Sequence, residues 1–124
     1  MDYTFRRGDI CWFKDREPSG KTFVKHGERP VIIVSPDGMN RTSGTVVVVP
    51  MTSKTDKKIY PGQFDVHFSG QRSRVCTDQI RVVDKSALDL PVAHADLSVL
   101  ESLDAALAYS VGLFSVGTVV CLAE

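Results

Sequence analysis

Apolar and polar positions along the chain fall into short blocks, and most of the apolar blocks are branched. Ile10-Cys11-Trp12-Phe13 follows the turn signal Gly8-Asp9 and predicts a first strand. Val31-Ile32-Ile33-Val34 and Val46-Val47-Val48-Val49 are unbroken runs of branched residues, the pattern of strands buried on both faces. Pro30 opens the first run, where its missing N–H does least harm, and Pro50 is expected to end regular pairing of the second. Residues 63–68 alternate polar with apolar, as a strand with one wet face does. Residues 74–76 and 79–83 predict further strands, with Thr77-Asp78 between or within them. Residues 39–44 read as a loop with up to one helical turn, and residues 85–88 as a single turn.

The period changes only near the end. Leu100, Leu103, Leu107 and Val111 recur at three and four, giving one apolar helical stripe. Asp96 or Ser98 can cap its start, and Gly112 suits a left-handed cap at its end. Residues 114–122 are again apolar, and read either as an added strand or as a packed tail. Two polar stretches, 14–29 and 54–62, are long enough for binding loops. Six short strands followed by one helix predict a mainly β fold: a small antiparallel barrel with a C-terminal α-helix packed on it.

At 124 residues, 43% apolar and 24% charged, the chain predicts one soluble domain with a real core. The formal net charge of zero hides an asymmetry. The first 85 residues hold all 15 Lys and Arg but ten of the acids, a net +5, and the remainder is −5. One face can therefore meet a polyanion, although a scatter of solvated charges explains the numbers equally well. No apolar run reaches the length of a membrane span, and the N-terminus lacks the pattern of a signal peptide. Three cysteines, an odd number without metal-ligand spacing, suit reduced thiols in a cytoplasmic protein. Three scattered histidines predict no metal site, and no glycine loop of the phosphate-cradling kind is present.

Candidate chemistry concentrates at two junctions. Gly27-Glu28-Arg29-Pro30 places Arg29 at the mouth of a rigid strand, and Thr52-Ser53 closes the valine strand. A guanidinium on rigid backbone aims five donors at a phosphate or carboxylate. Taken alone, Arg29 reads more readily as a surface ion pair with Glu28 or Asp78, and Thr52 as an ordinary strand-end hydroxyl. Among aromatics, Phe23 and Tyr60 lie in polar loops and suit stacking on unpaired bases, whereas Trp12 and Phe68 suit the core. Cys76 with His26 or His67 imitates a thiol–base pair but has no supporting spacing.

Arg6-Arg7-Gly8-Asp9-Ile10, residues 27–35, Val48-Val49-Pro50-Met51-Thr52-Ser53, residues 77–85 and Leu103-Asp104-Ala105-Ala106-Leu107 resemble, in order, the signatures of the MazF/PemK toxins. The resemblance spans roughly residues 5–113 and leaves 114–124 as an extension of the single domain, 1–124. It implies an SH3-like barrel of the CcdB/PemK type, and the toxin of a type II toxin–antitoxin module. It further implies a homodimeric, sequence-specific endoribonuclease that cuts single-stranded RNA without metal or cofactor. Cleavage leaves a 2′,3′-cyclic phosphate and a 5′-hydroxyl, and the C-terminal segment of a cognate antitoxin covers the RNA groove. Arg29 and Thr52 match the catalytic positions, and Glu28, Ser53, Lys54, Asp78, Gln79, Phe23 and Tyr60 are the expected substrate-binding residues. Asp78, Gln79 and Arg81 read equally as groups that shape the barrel. The general base is not identified, and Glu28 is one candidate. Some PemK-type members carry a catalytic arginine where this chain has Cys76, and a loop histidine where it has Ser19, Gly20 or Lys21, so that trio does not carry over. The rival functions are a CcdB-like inhibitor of DNA gyrase and an inactive barrel that binds only RNA or antitoxin.

Overall fold

The valine run becomes β3 (Thr45–Thr52), the central strand of a seven-stranded sheet. The structure is a computed structural model and describes residues 3–14 and 28–113. β3 pairs antiparallel with β2 (Arg29–Ile33) along one edge, Ile32 lying opposite Val49. Its other edge is shared. β6 (Arg81–Asp84) covers Thr45 to Val48, and β5 (Gln71–Cys76) covers Met51 and Thr52. Because successive side chains leave opposite faces, β3 feeds two cores. Val46 and Val48 pack with Cys11, Phe13, Val31, Ile33 and Val83, while Val49 and Met51 pack with Ile10, Ile32, Val75 and Leu103.

Pro50 does not end the pairing, contrary to expectation. It lies opposite Val31, at the place where β3 exchanges β6 for β5. A residue that donates nothing to a ladder is tolerated in such a gap, and the strand continues to Thr52.

β1 (Asp9–Phe13) pairs with β2, placing Trp12 opposite Pro30 and Phe13 opposite Arg29. β4 (Gln63–Phe68) and β5 form a hairpin that begins at Gln71, earlier than expected. Its turn residues Ser69 and Gly70 both have positive φ (54° and 79°), as a two-residue turn matched to strand twist requires. A 3₁₀ turn at Thr77–Gln79 separates β5 from β6, so the later strand starts at Arg81 rather than Gln79. After a second 3₁₀ turn at Lys85–Ala87 the chain returns along β1. Leu88 bridges Phe13, the Asp89 N–H donates to the Trp12 carbonyl at 3.0 Å, and β7 (Ala93–His94) pairs with Asp9 and Ile10. The sheet thus curls into a half-barrel.

α1 (Asp37–Thr42) is longer than the single turn expected after residue 38. The buried Asn40 anchors it, accepting from the Ser35 hydroxyl (2.5 Å) and donating to the Ser35 carbonyl (3.0 Å). α2 (Leu97–Ser110) starts at Asp96, whose carboxylate accepts from Val99 N–H at 3.0 Å. Leu103 is fully buried on the second core, flanked by Leu100 and Leu107. Val111, the last member of the stripe, is exposed because the helix stops at Ser110 and Gly112 turns the chain with φ 79°. Phe23 and the apolar stretch 114–122 lie outside the described residues.

One buried ion pair braces the β3–β4 connection. Arg74 on β5 stands between Thr52 on β3 and Asp65 on β4 in the ladder, and its guanidinium grips Asp65 with bonds of 2.7 and 3.2 Å. Hydrogen bonding from Arg74 holds the Asp65 carboxyl below its ordinary value, against a smaller opposing effect of burial. A depressed folded-state value means that the pair stabilises the fold above the ordinary carboxylate value near 3.9 and loses that contribution as pH falls further. The stability gap between wild type and Asp65→Asn, followed by denaturant unfolding, is therefore expected to be constant near neutrality and to shrink below about pH 4. A gap that widens on acidification contradicts it.

Cys11 and Cys76 are both buried, and burial together with Asp9 and Asp89 pushes the Cys11 thiol up to about 12. A thiol reagent at pH 8 is expected to label at most one of the three cysteines in the native protein and all three after denaturation. Fast native labelling of two or more contradicts this packing.

Candidate active site

Antiparallel pairing brings the start of β2 to the end of β3. The β2–β3 register sets Val31 against Pro50 and Ile32 against Val49. Carried two residues further, the same register sets Arg29 against Thr52. The β2–β3 ladder itself ends at Val31 and Pro50, and Arg29 and Thr52 pair with Phe13 and Arg74 on the flanking strands, but the two candidate catalytic residues, 23 positions apart in sequence, both lie just past that ladder's end.

They share an open cleft of about 300 Å³, also lined by Glu28, Ser53 and Lys54. Arg29 is half-buried with its Nε enclosed, and it lines the cleft. The Thr52 hydroxyl accepts from the Lys54 N–H at 3.2 Å. A hydroxyl that accepts one bond keeps its own hydrogen for donation, so this turn leaves a donor beside the guanidinium. Arg29 and Lys54 bring two positive groups to the lining and Glu28 one negative group. That balance suits a phosphate more than a cation.

The aromatic wall differs from expectation. Trp12 is 36% exposed and lines the cleft instead of filling the core, whereas Phe68 packs against the second core, as expected, and also lines the cleft. Trp12 shares the face of Ile10, two residues earlier, but Ile10 belongs to the core that Leu103 of α2 joins and Trp12 does not. A second cavity of about 320 Å³ continues from the same two rings toward Val92 and Ala93. The register offered a signal for Trp12, because it lies opposite Pro30, next to Arg29. Phe68 becomes visible only once the β4–β5 hairpin is folded.

Three expected residues stand elsewhere. Asp78 and Gln79 sit on the 3₁₀ turn against α2, where the Thr77 hydroxyl bonds the Gly62 carbonyl (2.6 Å), the Ala106 carbonyl (3.1 Å) and the Ser110 hydroxyl (2.8 Å). The Gln63 amide lies 3.5 Å from the Asp78 carboxylate. Tyr60 is exposed, with the Lys58 ammonium 5.7 Å from its ring centroid, and does not line the cleft. Arg81 packs its guanidinium over the Phe13 ring at 5.3 Å.

Asp9 is buried at the far end of β1 and accepts from Tyr3 (2.8 Å) and the Arg6 N–H (2.9 Å), with His94 Nδ1 at 2.9 Å. It ties the N-terminal segment to β7 and takes no part in the cleft. Among the described residues no three His, Cys, Asp or Glu side chains come together as a metal site would need. No helix among them is long and apolar enough to cross a membrane.

The same chain order and sheet recur in known proteins. Endoribonuclease EndoA of Bacillus subtilis (strain 168) is 30% identical over 112 residues, covering 87% of this chain and 95% of its own. The crystal structure of MazF from Deinococcus radiodurans superposes with a TM-score of 0.74 at 26% identity, covering 90% of this chain and 99% of that one. A mycobacterial endoribonuclease in complex with its cognate antitoxin shares the fold, with a TM-score of 0.71 at 23% identity over 89% of this chain and 97% of that one. The family model for the PemK-like, MazF-like toxins of type II toxin–antitoxin systems matches residues 6–111. The chain belongs to the PemK/MazF-like toxin family.

Proposed function

We propose that this protein is the endoribonuclease toxin of a type II toxin–antitoxin module, and that its cleft holds the scissile phosphate of single-stranded RNA between Arg29 and Thr52. The observation that carries the proposal is the single cleft that Arg29 and Thr52 both line, just past the end of the β2–β3 ladder.

Cleavage proceeds by attack of the ribose 2′-oxygen on the adjacent phosphorus. The 2′-oxygen loses its proton, the bond from phosphorus to the 5′-oxygen breaks, and that oxygen gains a proton. The products are a 2′,3′-cyclic phosphate and a 5′-hydroxyl, and no metal or cofactor is required. Arg29 stabilises the charge that builds on the phosphorane oxygens. A guanidinium with a pKa above about 12 is a poor acid, so charge stabilisation is its role here. Thr52 donates to a phosphate oxygen, and Ser53 and Lys54 extend the contact along the strand. Glu28 is the one carboxylate among the described cleft residues and the candidate base for the 2′-proton. Trp12 and Phe68 offer faces on which unpaired bases stack.

The cognate antitoxin's C-terminal segment covers the same cleft, and the toxin acts as a cytoplasmic homodimer. Support comes from the family and, for the antitoxin, from the similar mycobacterial endoribonuclease described in complex with its own.

The test incubates the purified protein with a diverse single-stranded RNA pool in EDTA and maps the new ends. Wild type is expected to yield cyclic-phosphate and 5′-hydroxyl termini. Arg29→Ala is expected to lower kcat/KM by about 100- to 1000-fold, and Thr52→Ala by about 10- to 100-fold. No cleavage by wild type, or undiminished cleavage by Arg29→Ala, contradicts the proposal.

A further inference from the structure

Arg74 does more than pair with Asp65. It is 4% exposed, and its remaining donors all go to one loop: Nη1 donates to the carbonyls of Lys57 (2.7 Å) and Lys58 (3.4 Å), and Nη2 to the carbonyl of Thr55 (3.3 Å). With the two Asp65 bonds, the five donors of the guanidinium meet five acceptors. The loop so gripped is 53–62, and its first residues, Ser53 and Lys54, line the cleft. Arg74 itself pairs in the ladder with Thr52. Thr52, Arg74 and Asp65 therefore form one cross-strand row, and the middle member fixes the loop that leaves the catalytic strand.

We propose that Arg74 is a positioning residue whose clamp on the 53–62 loop sets which RNA sequence the cleft accepts. The proposal rests on the endoribonuclease function. The chemistry needs Arg29 and Thr52, which backbone pairing holds, Arg29 against Phe13 of β1 and Thr52 against the main chain of Arg74, so that exchanging the Arg74 side chain leaves both ladders in place. The path of the RNA past Ser53 and Lys54 depends on where the loop backbone lies. Three carbonyls at 55, 57 and 58 determine that position, and only a planar fork can reach all three while holding a carboxylate. A lysine at this position keeps the charge but concentrates three donors on one nitrogen, so it cannot reproduce the five bonds that join Asp65 to the three loop carbonyls. Releasing the loop leaves the phosphate site intact and loosens the subsites beside it, which separates binding and selectivity from turnover.

The experiment uses the full chain. Arg74→Lys, Asp65→Asn and the charge-free pair Asp65→Leu/Arg74→Met are compared with wild type. The pair removes all five bonds while retaining buried apolar volume, a replacement that buried ion pairs often tolerate. Near-UV circular dichroism identifies the folded variants. For those, kcat and KM are measured on one cleaved oligonucleotide, and cut sites are sequenced across a random RNA pool. Arg74→Lys and the pair are expected to raise KM by about tenfold with kcat within about threefold, and to broaden the cut-site sequence. Asp65→Asn is expected to shift the same readouts less, because the three loop carbonyls keep their donors.

Folded variants with unchanged KM and an unchanged cut-site profile overturn the clamp, as does a fall in kcat alone. Failure of all three variants to fold also overturns it, by making the row a requirement of the fold. If wild type cleaves no RNA, the endoribonuclease function falls and the clamp with it. If wild type cleaves and the variants match it, only the clamp falls.

Discussion

The register between β2 and β3 is the constraint on which the rest depends. Ladder pairing fixes side-chain faces with a period of two, so a slip of one residue moves every side chain to the other face. Here a slip would exchange the two cores, because Val31 and Val48 serve one and Ile32 and Val49 the other. Both cores are closed, one by the returning chain after β6 and one by Leu103 of α2. Burial of a branched side chain contributes about 1.5–3 kcal/mol, so several misplaced together exceed the whole margin of stability of a small domain. The packing of valines and isoleucines in the interior thereby fixes Arg29 beside Thr52 at the rim. Site geometry is a consequence of core packing.

The rim is open because the helix is short of it. α2 covers the face of Ile10 and Ile32 and leaves Trp12 exposed at the cleft, beside Pro30 and the half-buried Phe68. An apolar, partly aromatic wall beside a guanidinium suits a ligand that alternates charge with flat rings, which is what single-stranded RNA presents. The loop at 53–62 closes the opposite side, held by a buried arginine instead of by apolar packing. Polar fixation of that kind places backbone carbonyls with more geometric precision than a greasy contact, at the cost of leaving a charge buried when either partner is lost.

Local pattern carried the strands, the C-terminal helix and its Asp96 cap, because branched runs and a three–four spacing each suit one backbone geometry. It also carried Arg29 and Thr52 as members of one site, through the resemblance of their segments to the toxin family. What it missed are effects of pairing between distant strands. Pro50 continues its strand because the neighbour changes there. Trp12 looks like a core residue until the extent of α2 is known. Arg74 is visible in the sequence only as the first residue of a predicted strand, and its grip on the 53–62 loop appears only in the folded chain. Asp78 and Gln79 belong to a recognisable motif, and the structure packs their turn against α2 rather than beside the cleft.

The most direct measurement is a nuclear magnetic resonance titration with a single-stranded oligonucleotide whose 2′-hydroxyl at the cut position is replaced by hydrogen, so that it binds without reacting. A phosphate seated between Arg29 and Thr52 shifts the side-chain signals of Arg29, the amides of residues 52–54 and the indole of Trp12, with smaller changes along 55–58. Shifts confined to the 77–79 turn and α2, with Arg29 and Thr52 unmoved, would place the RNA elsewhere and contradict the assignment of this cleft.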